Sequence, residues 1–161
     1  MLRARDPDPL GEAREASTPR RQRAGPLGSA HEGLEAVACE AVFRYQLQQP
    51  LVDVPPSPGY YLALRGRDPD EALLRRLAAL TPGVRPFSHC RVTARDGVLD
   101  RATGAQGVIV QVARSAWVHA AAVEVVGGYY LTHRQAASFR YHVEPDGPQW
   151  AVTAVHLLWR V

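Results

Sequence analysis

The spacing of apolar positions changes period along this chain. In "LEAVACEAVFRYQLQ", Leu34, Val37, Ala38, Ala41, Val42 and Tyr45 recur every three or four residues, which is one stripe of an amphipathic helix. Cys39, Phe43 and Leu47 widen the stripe, and Glu40 and Arg44 form an i,i+4 pair on the remaining face. Ser29 followed by Glu32 fits a capping box at the helix start, and Pro50 stops the helix. After a proline-rich connection, "YYLAL" reads as a short strand. "RDPDEALLRRLAALTPG" then predicts a second helix, with Asp68 as cap and Pro69 at the first helical position. Its buried face would be Leu73, Leu74, Leu77 and Leu80, and Pro82-Gly83 ends it. From Arg85 onward the period is two, through "FSHCRVT", "GVIVQVARSAWV", "AAVEVVGGYYL", "SFRYHVE" and "WAVTAVHLLWRV". The last four segments predict an antiparallel meander with short loops. The expected fold is α+β, with N-terminal helices packed on a strongly curved antiparallel sheet.

The register of that meander decides where a site would lie. With Pro145–Pro148 as a four-residue loop, Val143 would face Trp150, Tyr141 would face Val152 and Phe139 would face Ala154. One face of both strands is then apolar, and Arg140, His142 and Glu144 fall on the other. Pairing "VEVVGGYYL" with the same strand across a His133-Arg134 turn puts Glu124 opposite buried Val143, and burying an unpaired carboxylate costs several kcal/mol. One extra residue repairs the register. If Gly127 and Gly128 together oppose Phe139, Val125 meets Tyr141 and Val123 meets Val143, which is a β-bulge that glycine tolerates. Beyond that bulge Tyr130 would point inward, and His156 would lie opposite Ala137 on the same face. Tyr45 from the first helix, with Phe139 and Tyr141, would complete the lining of a small apolar pocket. The plainer alternative is a filled core in which Tyr130 and His156 bond each other or backbone.

At 161 residues the chain has room for one domain, read here as residues 29–161. Residues 1–28, rich in Pro, Gly, Arg and acids without apolar periodicity, read as a disordered arm. All 19 basic residues are arginine. Six of them face four acids in residues 1–30, and 13 face 12 in residues 31–161, so the folded part is nearly neutral. A large phosphate-binding face is therefore not expected, and nucleic acid is not a predicted partner. No apolar run reaches the roughly 18–20 residues of a bilayer span, and the N-terminus lacks the apolar core of a secretory signal. As it stands the sequence reads as cytoplasmic, with Cys39 and Cys90 as small buried apolar residues. A start site further upstream would make it an exported or envelope protein, and a Cys39–Cys90 disulfide would then be expected.

The motifs that carry chemistry are incomplete. "HEGLE" lacks the second histidine of a zinc-protease helix, "TGAQG" lacks the Lys-Ser/Thr of a phosphate loop, and no GxSxG elbow is present. His89 and Cys90 are neighbours in an expected strand and would point to opposite faces. No metal site and no cofactor are implied. Arg140, His142 and Glu124 make a polar cluster on the outer sheet face, which a solvated surface explains and which is also the face a partner protein would use.

"EAVFRYQ", "YYLALRGRDPDEALLRRLAAL", "VRPFSHCRV", "VEVVGGYY" and a tryptophan-containing final strand together resemble a family of small, functionally uncharacterised bacterial proteins over most of residues 34–161. That resemblance implies no activity, and no functional residue is carried over from it. It includes exported relatives, while "LTHRQAAS" and "HLLWRV" depart from its pattern. In architecture the chain resembles the cone-shaped superfold of nuclear transport factor, ketosteroid isomerase and scytalone dehydratase, or a cystatin-like helix wrapped by a curved sheet. The expected function is a non-catalytic binding or interaction module, holding a small apolar ligand or forming a homodimer. The alternative is a small cone-fold isomerase, dehydratase or cyclase in which His156 acts as base and Tyr130 polarises a carbonyl.

Overall fold

The computed structural model describes residues 26–49 and 59–161. The arm expected over 1–28 lies outside the described residues except for its last three positions, as does the proline-rich connection. Helix α1 covers Pro26–Gln48, so it starts before the expected cap at Ser29, with proline at its first position. Then follow β1 (Tyr60–Leu64), α2 (Glu71–Leu80), β2 (Val84–Pro86), a 3-10 turn (Phe87–His89), β3 (Cys90–Thr93) and β4 (Gly97–Asp100). The long strands β5 (Val108–His119), β6 (Ala122–Thr132), β7 (Gln135–Asp146) and β8 (Gln149–Arg160) complete the chain. The fold is α+β with a curved mixed sheet in the order β2-β1-β5-β6-β7-β8, plus a separate β3–β4 hairpin.

The meander β5–β8 is antiparallel as expected. The sheet as a whole is not, because β1 lies parallel to both β2 and β5. The β1–α2–β2 segment is a parallel crossover, which a five-residue apolar run such as "YYLAL" does not reveal on its own. Helix α2 is capped by Asp70, whose carboxylate accepts from the Leu73 N–H at 2.8 Å. Asp68, the expected cap, instead accepts from Ser88 N at 2.7 Å. Leu73 and Leu77 are buried, but Leu80 faces solvent.

Alternate residues of β1 and β5 divide the interior into two cores. Leu62, Val108, Val110 and Val112 join α1 residues Ala38, Cys39, Val42 and Phe43 on one face. Tyr61, Ala63 and Ile109 join Cys90 and Val98 on the other, under the β3–β4 hairpin. The buried stripe of α1 is thus turned from the expected one. Ala38, Cys39, Val42, Phe43 and Gln46 point inward, while Leu34 and Val37 are exposed. Cys39 and Cys90 sit in different cores on opposite faces of the sheet and are free thiols, so the disulfide expected for an exported protein is not formed.

The paired glycines serve a different purpose from the predicted bulge. Along β6–β7 the ladder runs unbroken from Val123↔Val143 through Val125↔Tyr141, Gly127↔Phe139 and Gly128↔Ser138 to Tyr130↔Ala136. The extra residue needed to reconcile turn and strand is taken up between Tyr130 and Thr132, next to the turn. Opposite the glycines the irregularity belongs to β5, where Ala113 is skipped between Val112↔Gly127 and Arg114↔Val126. Close approach is what requires glycine here. A Cβ on Gly127 would strike the Gln111 carbonyl and come within 2.9 Å of Gln46 Nε2, and one on Gly128 would strike the Ala137 carbonyl. Neither glycine has a positive φ.

Candidate functional site

With the bulge displaced, Tyr129 rather than Tyr130 faces α1. Tyr129, Phe139, Tyr141 and Tyr45 form one aromatic run, with ring centroids 6.5, 6.0 and 5.9 Å apart in that order. Three of the expected pocket residues, Tyr45, Phe139 and Tyr141, are therefore together, and they pack with the core that α1 covers. Burial pushes the Tyr141 hydroxyl well above the ordinary phenol range. Gln46, also buried, donates from Nε2 to the Gln111 carbonyl at 3.4 Å.

Tyr130 and His156 do not flank Ala137. Tyr130 lies opposite Ala136 on the far face, against the second core. The β7–β8 turn consists of Gly147-Pro148, shorter than the expected four-residue loop. It pairs Asp146 with Gln149 and puts Val143 opposite Val152, Tyr141 opposite Val155 and Phe139 opposite Leu157. The irregularity in β8 at Thr153 then sets His156 opposite Arg140, where it is exposed; a second, at Leu158, shifts the residues beyond it. Ala136 and Arg140 are four residues apart on β7, so roughly 13 Å along the strand separates the two positions. Arg140 and Glu124 do meet on this outer face, Nε to Oε2 at 3.9 Å, and His142 Nε2 lies 3.3 Å from Glu144 Oε1.

A buried polar cluster that sequence reasoning missed lies at the other end of the sheet. Asp100 Oδ2 accepts from Tyr61 Oη and from Arg85 Nη1, both at 2.6 Å. Its Oδ1 accepts from Ala102 N at 2.9 Å, Thr103 N at 2.8 Å and Thr103 Oγ1 at 3.1 Å. These donors, the Tyr61 hydroxyl first, hold the Asp100 carboxyl well below the usual carboxylate range. Burial, then the bond to Asp100, pushes Tyr61 up to about 12. Both carboxylate oxygens are occupied, so Asp100 has no lone pair left for a substrate proton or a cation. It is a structural tie between β1, β2 and β4. Its partners lie 39 and 15 residues away in sequence, and no local motif announces it.

Among the described residues two surface hollows stand out. One, of about 230 Å³, lies between α1 (Val37, Glu40, Ala41, Arg44) and the tip of the β7–β8 hairpin (Pro148, Gln149, Trp150). That is smaller than the ~300–1,000 Å³ of ordinary ligand sites, and its carboxylate is engaged. Glu40 accepts from Arg44 and Arg76, both at 2.7 Å, and is held below its ordinary range by Arg76 first. The other hollow, of about 140 Å³, is shallow and lies among Arg114, Ser115, Ala116, Glu124, Val126 and Arg140 on the outer face. Among the described residues no cluster of three or more His, Cys, Asp or Glu could hold a metal ion. Burial pushes the Cys39 thiol up and raises Cys90 to about 11, which keeps both protonated at neutral pH.

The feature that stands out is the end of the chain. Val155, Leu157, Leu158, Trp159 and Val161 are 38, 56, 40, 50 and 62% exposed, and all lie on or just beyond the edge strand β8. Leu157 and Val155 share the α1 side of the sheet with their partners Phe139 and Tyr141, while Trp159, opposite Ser138, faces the outer side. The run "VHLLWRV" was legible in the sequence as five apolar residues in seven. Among the described residues no helix is long and apolar enough to cross a membrane. No protein family, curated protein or solved structure matches the chain.

Proposed function

We propose that this protein is a non-catalytic interaction module that docks another protein along the free edge of β8. The observation that carries this reading is the run of exposed apolar side chains from Val155 to Val161, which flanks an edge strand on both faces. Apolar surface gathered in this way marks contact sites, whereas single exposed leucines do not. The curved sheet with one helix across it supports a cone-like or cystatin-like reading, and such scaffolds host pure interaction modules as readily as enzymes. The His156–Tyr130 enzyme is less well supported, since the two side chains do not converge on a cavity.

A photo-crosslinking amino acid placed at position 157 in the full chain, in the cells that make it, tests the reading. Discrete protein adducts are expected from 157 and not from 95, a fully solvated position at the tip of the β3–β4 hairpin. The same adduct pattern from both positions, or none from 157, overturns it.

A further inference from the structure

We infer that the partner on β8 is a second copy of this chain, paired antiparallel about a two-fold axis at His156. The inference rests on the docking role of β8 and adds its occupant and register.

The geometry of the strand narrows the choice. An edge strand presents unpaired N–H and C=O groups, the natural template for another strand. In β8 the irregularities at Thr153 and Leu158 leave Ala154–Leu157 as the regular stretch between them. Bulges bend the edge and prevent a long open ladder, so whatever pairs here pairs over a short, defined segment. Opposed residues in an antiparallel pair share a face. A two-fold pairing of β8 with itself must therefore be centred on a residue and not between two. Centred on His156, it puts Val155 of each copy against Leu157 of the other, on the side where both are now exposed, and the two His156 side chains face each other on the outer side. Such an arrangement is isologous and closes at two copies. The edges then left free belong to β2, which spans only Val84–Pro86 and ends in proline, a poor template for further growth.

Charge and area favour a copy over other occupants. The strand beside β8 carries Arg140 and Glu144 on the outer face, and β8 itself carries Arg160. A surface of mixed sign tolerates its own image, while a face built for an anionic membrane carries basic residues without such carboxylates. The chain's own N-terminal 25 residues, with six arginines and four acids, do not match an apolar edge. Summed over the two faces of the strand, both of which a continuous sheet across the edge would cover, the five exposed side chains offer roughly 400 Å² of apolar surface. Two such patches, with their backbone and rim, bury on the order of 1,200 Å², the lower end of stable specific interfaces.

Sedimentation of the purified full chain at micromolar concentration is expected to give twice the 17.7 kDa chain mass. Leu157→Arg, and separately Trp159→Gln, should return it to a monomer with an unchanged circular dichroism spectrum. Under mild oxidation His156→Cys should form a disulfide-linked dimer, while Arg95→Cys should not; the native cysteines are buried and stay out of the reaction. A wild type that remains monomeric overturns the inference, as does a dimer whose position-156 cysteines do not link. A monomer that floats with anionic vesicles overturns it as well. If the chain is monomeric but position 157 still crosslinks a protein of different mass in cells, the partner is wrong while the docking role of β8 stands.

Discussion

At one end of the sheet β2 runs for three residues and closes on Pro86, whereas at the other β8 runs for twelve and finishes in Leu-Leu-Trp-Arg. The short edge is tied by polar bonds: Arg85 reaches from β2 to Asp100, which also holds Tyr61 of β1 and the turn after β4. On the long edge Thr153 Oγ1 reaches the His142 carbonyl and Glu144 of the neighbouring strand, and the exposed side chains beyond it are largely apolar. Folding completes the first edge within one chain. It leaves the second with apolar area still in water, and burial of that area is worth about 25 cal/mol per Å² to whichever protein covers it.

The largest effect is expected where the tied edge is cut. Asp100→Asn removes the charge that Tyr61 and Arg85 both face, and leaves a buried donor set around a neutral amide. A fall in thermal midpoint of roughly 5–10 °C is expected, as for leaving hydrogen-bond donors around a buried position without their charged acceptor. The sign with pH follows from the depressed carboxyl. A group whose folded value lies below its unfolded one stabilises above the unfolded value and loses that contribution as pH falls. The gap between wild type and Asp100→Asn should thus be full at pH 7 and shrink below about pH 4. Thermal scans from pH 7 to pH 2 check this, and parallel profiles would show that the charge of Asp100 does not hold the edge.

Between the two edges, Gly128→Ala should cost about 2 kcal/mol by chemical denaturation, the range seen for overpacking a core that cannot relax. The new Cβ meets the Ala137 carbonyl and comes within 2.9 Å of Ser138 Cα, both backbone of a central strand. The predicted bulge at 127–128 implies the opposite, that a skipped residue there could accept a methyl group at little cost. A loss under about 0.5 kcal/mol, the scale of an ordinary surface change, would favour that reading.

The substitutions also mark what could be read from the sequence. The meander and its apolar faces were legible because period-two alternation survives in β6 and β7, and Val125–Tyr141 and Val123–Val143 pair as that alternation requires. Tyr130 and His156 were misplaced because each irregularity shifts every later residue to the other face, and an irregularity follows backbone fit that apolar pattern does not encode. Four lie in β5 and β8, at Ala113, Val118, Thr153 and Leu158, residues with no distinctive type in common. The turn of α1 was obscured by an apolar residue at almost every position from Val37 to Val42. The Asp100 tie was invisible because a lone aspartate in "GVLDRATG" looks like any turn former until Tyr61 and Arg85 are brought to it.

The smallest effect belongs to the free edge, and it separates folding from association. Leu157 is more than half exposed, so Leu157→Ser in an isolated chain removes little packing and should change stability by less than about 0.5 kcal/mol. A dimer adds a second dependence, because anything that binds only the folded state raises the midpoint by mass action. The wild-type thermal midpoint should therefore climb as protein concentration rises from 1 to 100 μM, roughly the range over which weak self-association saturates. Leu157→Ser should stay flat, the two curves converging at the dilute end. If the variant is less stable at every concentration by the same amount, Leu157 belongs to the monomer's core and the contrast between the two edges dissolves. Convergence on dilution would show that the long edge contributes little until a second chain meets it.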